Sequence, residues 1–307
     1  MGKYVVRRLL VMIPTLLFVV FIIFGILSFI PNSPGRIILG INAPEEQVVA
    51  MNQQLGYYDP MLVKFGNYVL HALQGDFGDS YKYGKPVFEV LMPKFPTTAN
   101  LAFLSMLVSA VIGIPVGIIA AVKKHSLADR ASTVAALLLG SIPSFFLGVL
   151  LILAFSLQLH WLPSNGLGTW KNFVMPVLTL SLPSAAFLSR LTRTTMLDAM
   201  ELDYIRTARA KGCSPMRVVF RHGLRNALMP VVTQLGMTFA GTLGGAIIIE
   251  KVFGLPGFGS MILQAMQTKD APVIMGSTLF LSTMFMLIML LVDIVYAFLD
   301  PRVGAKY

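Results

Sequence analysis

From Leu9 to Ile30 the chain reads LLVMIPTLLFVVFIIFGILSFI, 22 residues without one charged side chain. At 1.5 Å of rise per residue, a helix of that length crosses about 30 Å of hydrocarbon. The run is longer than the ~7–15-residue core of a signal peptide and no small-residue cleavage site follows it, so a retained span is expected. Five comparable stretches follow: Thr98–Val122, Thr133–Leu157, Phe173–Leu191, Ala227–Ile249 and Val273–Leu299. With 56% hydrophobic and 12% charged residues, too little polar surface is left to coat a soluble globule. The expectation is an all-α polytopic membrane protein with six transmembrane helices. Pro14, Pro115, Pro143 and Pro183 fall inside spans, with Pro176 beside the last of them. Neighbouring helices can satisfy the backbone groups they free, so kinked packing is their expected role.

The loops orient the spans. Lys and Arg number 16 across the N-terminus, 123–132, 190–226 and the C-terminus, against eight across 31–96, 160–172 and 251–272. The positive-inside rule places both termini in the cytoplasm. The net charge of +10 is therefore mostly topological and does not argue for nucleic acid. The single cysteine, Cys213, rules out an internal disulfide framework and a Cys-rich metal site.

One segment concentrates the charge. YIRTARAKGCSPMRVVFRHGLRN, residues 204–226, holds six Lys or Arg and no acid. Placing six such groups near a bilayer centre would cost on the order of 15–20 kcal/mol, so the segment lies outside the hydrocarbon. Gly212 can take the left-handed conformation that ends a helix, Ser214 can act as N-cap, and Pro215 suits a first helical position. Two short helices are expected, one ending near Lys211 and one starting at Pro215. In the second, Met216, Val219, Phe220, Gly223 and Leu224 share one face, while Arg217, Arg221 and Arg225 share another. Periodicity alone leaves two roles open: a basic amphipathic hairpin resting on anionic lipid, or a docking element seated in a partner.

RTARAKG followed by RHGLRNALMP resembles the EAA-type cytoplasmic loop of ATP-binding-cassette (ABC) importer permeases, in its peptide-permease version. The likeness extends along the chain in order: VVRRLLVMIPTL, LQGDFGDSYKYGKPV, HWLP at 160–163, IIIEKVFGLPGFG at 247–259 and VDIVYAFLDPRV. The chain is identified as resembling the dipeptide, oligopeptide and nickel permease family, first permease subunit type. Arg206, Thr207 and Ala208 fall at the EAA positions and Gly212 at the loop glycine. Arg replaces the usual Glu, and Leu224-Arg225 stands where the general motif has Leu-Pro. The resemblance implies that the loop within 198–230, with Arg209, Ser214, Pro215, Arg217 and Arg221, couples to cytoplasmic ATPases. It also implies two ATPase subunits carrying ATP and Mg, a second homologous permease and an extracytoplasmic solute-binding protein, in the cytoplasmic (inner) membrane. No cofactor on this chain is expected. Short peptides, glutathione, nickel chelates and some sugars are carried within the family, with selectivity set largely by the binding protein.

The remaining motifs are weaker. No P-loop and no H-E-x-x-H occurs, and His71, His125, His160 and His222 are scattered, so neither an enzyme active site nor a metal site is expected. GLPGFG reads as a tight outer turn. Residues 1–30 are read as N-terminus and first span, 31–96 as an extracytoplasmic subdomain with short helices, and 97–307 as a five-helix core. Asp76 and Asp79 suit turn formation or binding-protein docking equally. Glu250, Pro256 and Gly257 are further docking candidates, with Glu250 also readable as interfacial, and Asp293 is a candidate partner of Arg190 or Arg193. Gly241 and Gly245 form G-x-x-x-G, as do Gly113 and Gly117, and close helix packing is expected at both. Gln234, Thr238 and Thr242 share a helix face as candidate pathway residues. An ATP-independent carrier or channel remains the rival, although midplane acids and inverted repeats are not evident. A third reading is a membrane scaffold whose basic loop binds lipid.

Overall fold

A computed structural model of the chain describes residues 2–29 and 33–299, so the terminal DPRV motif and the basic pair Arg302 and Lys306 lie outside the described residues. The fold is all-α. The helices are α1 (Gly2–Phe29), α2 (Pro34–Leu39), α3 (Glu45–Gln54), α4 (Met61–Leu73), α5 (Val87–Leu91), α6 (Phe95–Val122), α7 (Leu127–Ser141) and α8 (Ser144–Leu151). A π-helical turn, Ile152–Gln158, extends α8. Then come α9 (Lys171–Glu201), α10 (Asp203–Ala210), α11 (Pro215–Arg217), a second π-helical turn (Val218–Gly223), α12 (Leu224–Gly245), α13 (Ile247–Val252), α14 (Phe258–Gln267) and α15 (Ala271–Leu299). Four helices, α3, α4, α5 and α8, begin directly after Pro44, Pro60, Pro86 and Pro143. The ring holds φ near −65° and removes an N–H that a first turn would leave orphaned.

Among the described residues five helices are long and apolar enough to cross a membrane, and a sixth crossing is made if α7 and α8 count as one span. The third apolar run is thus not a single rod: its halves meet at 97°. Pro143 is the cause. It forces Ile142 out of the helical region, to φ −81° and ψ 123°, and the chain restarts in a new direction. Pro143 accordingly marks a break and not a kink within a helix, whereas Pro14, Pro115, Pro176, Pro183 and Pro230 all lie inside continuous helices. α9 keeps both of its prolines over 31 residues and is the most buried span. Its interior Thr179 and Thr192 hydroxyls donate to carbonyls one turn back, at 2.8 and 2.7 Å, so these polar groups cost little inside an apolar core.

The chain divides into two compact units, Ala99–Leu255 with 288–299, and Gly2–Thr98 with Pro256–Leu287. In the second, an apolar cluster of Val87, Leu91, Phe258, Met261 and Val273 joins segments far apart in sequence. Beside it, the buried Asp270 carboxylate accepts from the Ser80 hydroxyl at 2.5 Å and from the Tyr81 and Lys82 N–H groups at 3.1 and 3.2 Å. Burial, and after it the Asp270 charge, push the Tyr81 phenol up to about 12. Asp270 was not singled out from sequence. The SYKYGKP loop that wraps it stands out there only as a family-like motif.

Candidate coupling hairpin

α10 ends as its sequence predicts. Gly212 adopts φ +75°, the Gly212 N–H donates to the Arg209 carbonyl at 2.9 Å, and the Cys213 N–H to the Ala208 carbonyl at 3.2 Å. This paired closure satisfies two helix-end carbonyls and requires the left-handed residue. The next helix starts at Pro215 with Ser214 as N-cap, but the Ser214 side chain makes no capping bond; its carbonyl accepts from Val218 at 3.0 Å instead. Capping by the hydroxyl is therefore corrected: proline at the first position already removes one of the donors a cap would serve.

The apolar face also differs from the periodic reading. Val218, Val219 and Gly223 are buried, while Met216 is 68% and Phe220 49% exposed. The π turn over Val218–Gly223 supplies the reason. A wider turn shifts the angular phase along it, so a 3.6-residue wheel groups Phe220 with the buried Val219; Met216 precedes the π turn, on α11. Arg206, Arg209, Arg217 and Arg221 are exposed, and Arg206 pairs with Asp203 at 3.6 Å. The hairpin tip therefore presents cations and apolar side chains side by side.

The root of the hairpin is well held. Ile205, Ala208 and Val218 pack together, and the buried Val219 and Ala227 join Ile118 and Ala121 of α6 and Met196 and Ala199 of α9. One apolar cluster thus links α6, α9, the π turn and α12. A bidentate ion pair stiffens the same end: Arg193 on α9 donates to Asp129 on α7 through Nε at 2.5 Å and Nη2 at 2.9 Å, and Asp129 also accepts the His125 N–H at 2.9 Å. Arg193 thus pairs with Asp129. The sequence signal for Asp129 was local only, an acid in a helix's first turn behind the N-cap Ser126.

The other candidates separate. Gln234 Nε2 donates to Thr238 Oγ1 at 3.3 Å and the Thr242 hydroxyl to the Thr238 carbonyl at 2.8 Å, one half-buried polar row on α12. Asp76 closes a turn by accepting the Gly78 N–H at 2.8 Å, and Asp79 is exposed at a short bridge to Pro86. Pro256 is exposed and Gly257 buried. Glu250 is 0% exposed, which corrects its reading as an interfacial or docking group; α13 ends just after it, with Gly254 at φ +58° and the Leu255 N–H donating to the Glu250 carbonyl at 2.8 Å. The glycine pairs behave oppositely. A methyl group at Gly113 or Gly117 would strike α9, whereas Gly241 has nothing within 4 Å of such a methyl, so the expected close packing at Gly241 is absent within the described residues.

Two family models match successive parts of the chain. Residues 113–305 match the family described as binding-protein-dependent transport system inner membrane component, and residues 1–102 match its N-terminal membrane-component family. The glutathione transport system permease protein GsiC of Salmonella typhimurium (strain LT2) is 42% identical over 306 residues, covering 100% of both chains. GsiC of Escherichia coli (strain K12) is likewise 42% identical over 306 residues, with 100% of both chains covered. Among solved structures, an inward-facing MetNI methionine ABC transporter superposes with TM-score 0.58 at 22% identity, over 69% of this chain and 97% of that one. An amino acid ABC transporter superposes with TM-score 0.53 at 16% identity, over 66% and 91% of the respective chains. These two likenesses speak to the fold.

Proposed function

This chain belongs to the family of binding-protein-dependent inner membrane transport components and is a multi-pass permease subunit of an ABC importer; on that premise we propose that it imports short peptides or a glutathione-like solute, driven by separate ATPase subunits. The observation that carries the mechanism is the hairpin. Its tip offers exposed Met216 and Phe220 beside Arg217 and Arg221, and its root is packed into α6, α9 and α12. Apolar side chains flanked by cations suit a partner groove with an acidic rim, where desolvated contacts hold and charges orient.

In this reading two cytoplasmic ATPases bind ATP and Mg, close on each other and carry the hairpins with them. Because Val219 and Ala227 share one apolar cluster with Met196 and Ile118, the hairpin and the inner ends of α6, α9 and α12 move as one body. That rocking alternates access to a pathway shared with a second, homologous permease, with Gln234, Thr238 and Thr242 as pathway candidates. Both termini lie in the cytoplasm, and an extracytoplasmic binding protein delivers solute to the opposite face, where Asp76, Asp79, Pro256 and Gly257 are docking candidates. The solute class rests on the full-length likeness to permeases named for glutathione transport.

The test is co-purification from native membranes in mild detergent with every bound chain identified. Recovery of two P-loop ATPases and a second permease is the expected result; this chain alone, folded and stable, would refute the reading and favour an ATP-independent carrier. Reversing Arg217 and Arg221 to Glu should release the ATPases while the second permease stays bound.

A further inference from the structure

Between the first two spans, one helix has a surface ill suited to water. On α4, Leu62, Gly66, Leu70 and Leu73 follow at helical spacing along one side. Leu62, Leu70 and Leu73 are 70%, 60% and 80% exposed. A neighbouring side carries Phe65, Tyr68, Val69 and Ala72, and this is the side that meets α1. Lys64, Asn67 and His71 form a narrow polar stripe on the far side from the leucines. The apolar arc of α4 is thus wider than its packing on α1 requires.

The contacts with α1 set the depth of that arc. The Phe65 ring meets those of Phe21 and Phe24 edge-on, with centroids 5.5 and 6.1 Å apart, and the Tyr68 ring lies 6.0 Å from that of Phe24. A methyl group on Gly25 would lie 3.6 Å from the Met61 Cε. Val69, Ala72 and Leu73 line an apolar groove together with Leu16, Leu17 and Val20. The membrane-length apolar stretch of α1 is Val6–Leu27. At 1.5 Å per residue, Phe21 and Gly25 stand roughly 9 and 3 Å inside its end. On the same part of α1, Phe18, Ile22 and Ile26 recur every four residues and are exposed, as lipid-facing side chains are. The helix therefore lies against α1 at a level where the surrounding medium is hydrocarbon.

We propose that α4 is an interfacial helix sunk in the leaflet on that side of the membrane, with Leu62, Leu70 and Leu73 among the acyl chains and Lys64, Asn67 and His71 turned to the headgroups. The contact depth of roughly 3–9 Å agrees with the ~5–10 Å at which amphipathic helices lie in a membrane interface. The start of the helix fits the same placement. Tyr57 and Tyr58, with ring centroids 5.3 Å apart, precede it, as aromatic residues do at the headgroup level. The Lys64 ammonium lies 5.6 Å from the Tyr57 ring centroid and donates to the Tyr57 carbonyl at 3.1 Å, which holds the charge away from the leucines. Lipid is the occupant that the setting supplies, because the helix on which α4 packs is itself exposed to it. The segment 31–96 is thereby fixed to the leaflet and does not stand wholly in water. The proposal rests on α1 being a membrane span and holds whichever solute the complex carries.

The intact wild-type complex tests it in nanodiscs of phosphatidylethanolamine and phosphatidylglycerol, doped with a phosphatidylcholine that carries a diazirine on its acyl chain. After illumination, carbene adducts mapped by mass spectrometry should fall on Leu62, Leu70 and Leu73 as well as on α1, and should spare Asn67 and His71. Adducts on α1 with none on α4 would overturn the proposal. Adducts on neither would overturn the span, and the proposal with it. A charged maleimide then separates lipid from water, its reaction followed on the α4 peptide of Leu70→Cys and Asn67→Cys complexes. Leu70→Cys should react at least about tenfold more slowly, since lifting the leucine side of the helix into water costs more than one such step. Equal rates would place α4 in water and overturn the proposal. A protected Leu70→Cys in a complex whose α4 takes no carbene label would give the leucines to a protein partner, which overturns it equally.

Discussion

Gly113 and Gly117 stand one helical turn apart on the side of α6 that meets α9, and replacing Gly117 with alanine tests how tightly those helices are locked. A methyl carbon there would lie 2.5 Å from the Ser189 carbonyl oxygen and 2.5 Å from the Thr192 Cβ. Non-bonded carbons rest about 3.5–4.0 Å apart, so α6 must withdraw by roughly 1 Å. Neither obstacle is the end of a flexible side chain, and the whole helix pays through lost contacts along its length. Overpacking of this kind costs about 1–3 kcal/mol. Alanine returns at most about 1 kcal/mol of helix propensity, so the clash wins and the net loss is about 1–2 kcal/mol. Gly241→Ala is the control: nothing lies within 4 Å, so propensity acts alone and stability holds or rises. Thermal unfolding of the purified complex should place the Gly117→Ala transition a few degrees below wild type, at roughly 2–4 °C per kcal/mol. Adding Gly113→Ala should cost less than the sum, because one displacement relieves both clashes. A Gly117→Ala complex that melts at or above the Gly241→Ala complex would refute the reasoning.

Gly212→Val places a β-branched residue at φ +75°, so transport should fall sharply while membrane insertion, read by protease accessibility, stays intact; unchanged transport would detach the hairpin from coupling. Asp270→Ala strands the Ser80 hydroxyl and two backbone N–H groups, a loss of about 3 kcal/mol, and limited trypsinolysis at Lys82 should accelerate while Asp270→Asn shows a smaller effect. Asp129→Ala leaves Arg193 without its bidentate partner and should lower stability by about 2 kcal/mol, below the fully buried case because Arg193 is partly exposed; the double variant with Arg193→Leu should recover part of the loss, as a shift in the melting temperature.

What was legible in the sequence follows a physical boundary. Span number is a matter of length and hydrocarbon thickness, so counting apolar residues finds the spans before any contact is known. The hairpin's first half was equally legible, because Gly212 and Pro215 act through backbone geometry confined to a few neighbours. Its second half was not. A helical wheel assumes one period, and the π turn over Val218–Gly223 breaks that assumption in a segment whose residues carry no signal for it. The wheel put Met216 and Phe220 on one face with Val219, whereas the folded chain buries Val219 and exposes Met216 and Phe220 beside Arg217 and Arg221.

The acids divide along a related line. Asp129 and Asp270 each complete a site whose other members are distant in sequence, Arg193 in one case and residues 80–82 in the other. Nothing local announces those distant partners, and Asp76, by contrast, closes its own turn with Gly78 two residues away. Net charge and charge order describe which side of a membrane a loop occupies. They do not describe which carboxylate is buried, because burial is decided by the helices that arrive later. The glycines make the same point in steric form: G-x-x-x-G occurs on both α6 and α12, yet among the described residues α9 lies within reach of a methyl at Gly113 and Gly117, and nothing lies within 4 Å of one at Gly241. A short motif thus states what a helix permits, and the partner helix determines whether the permission is used.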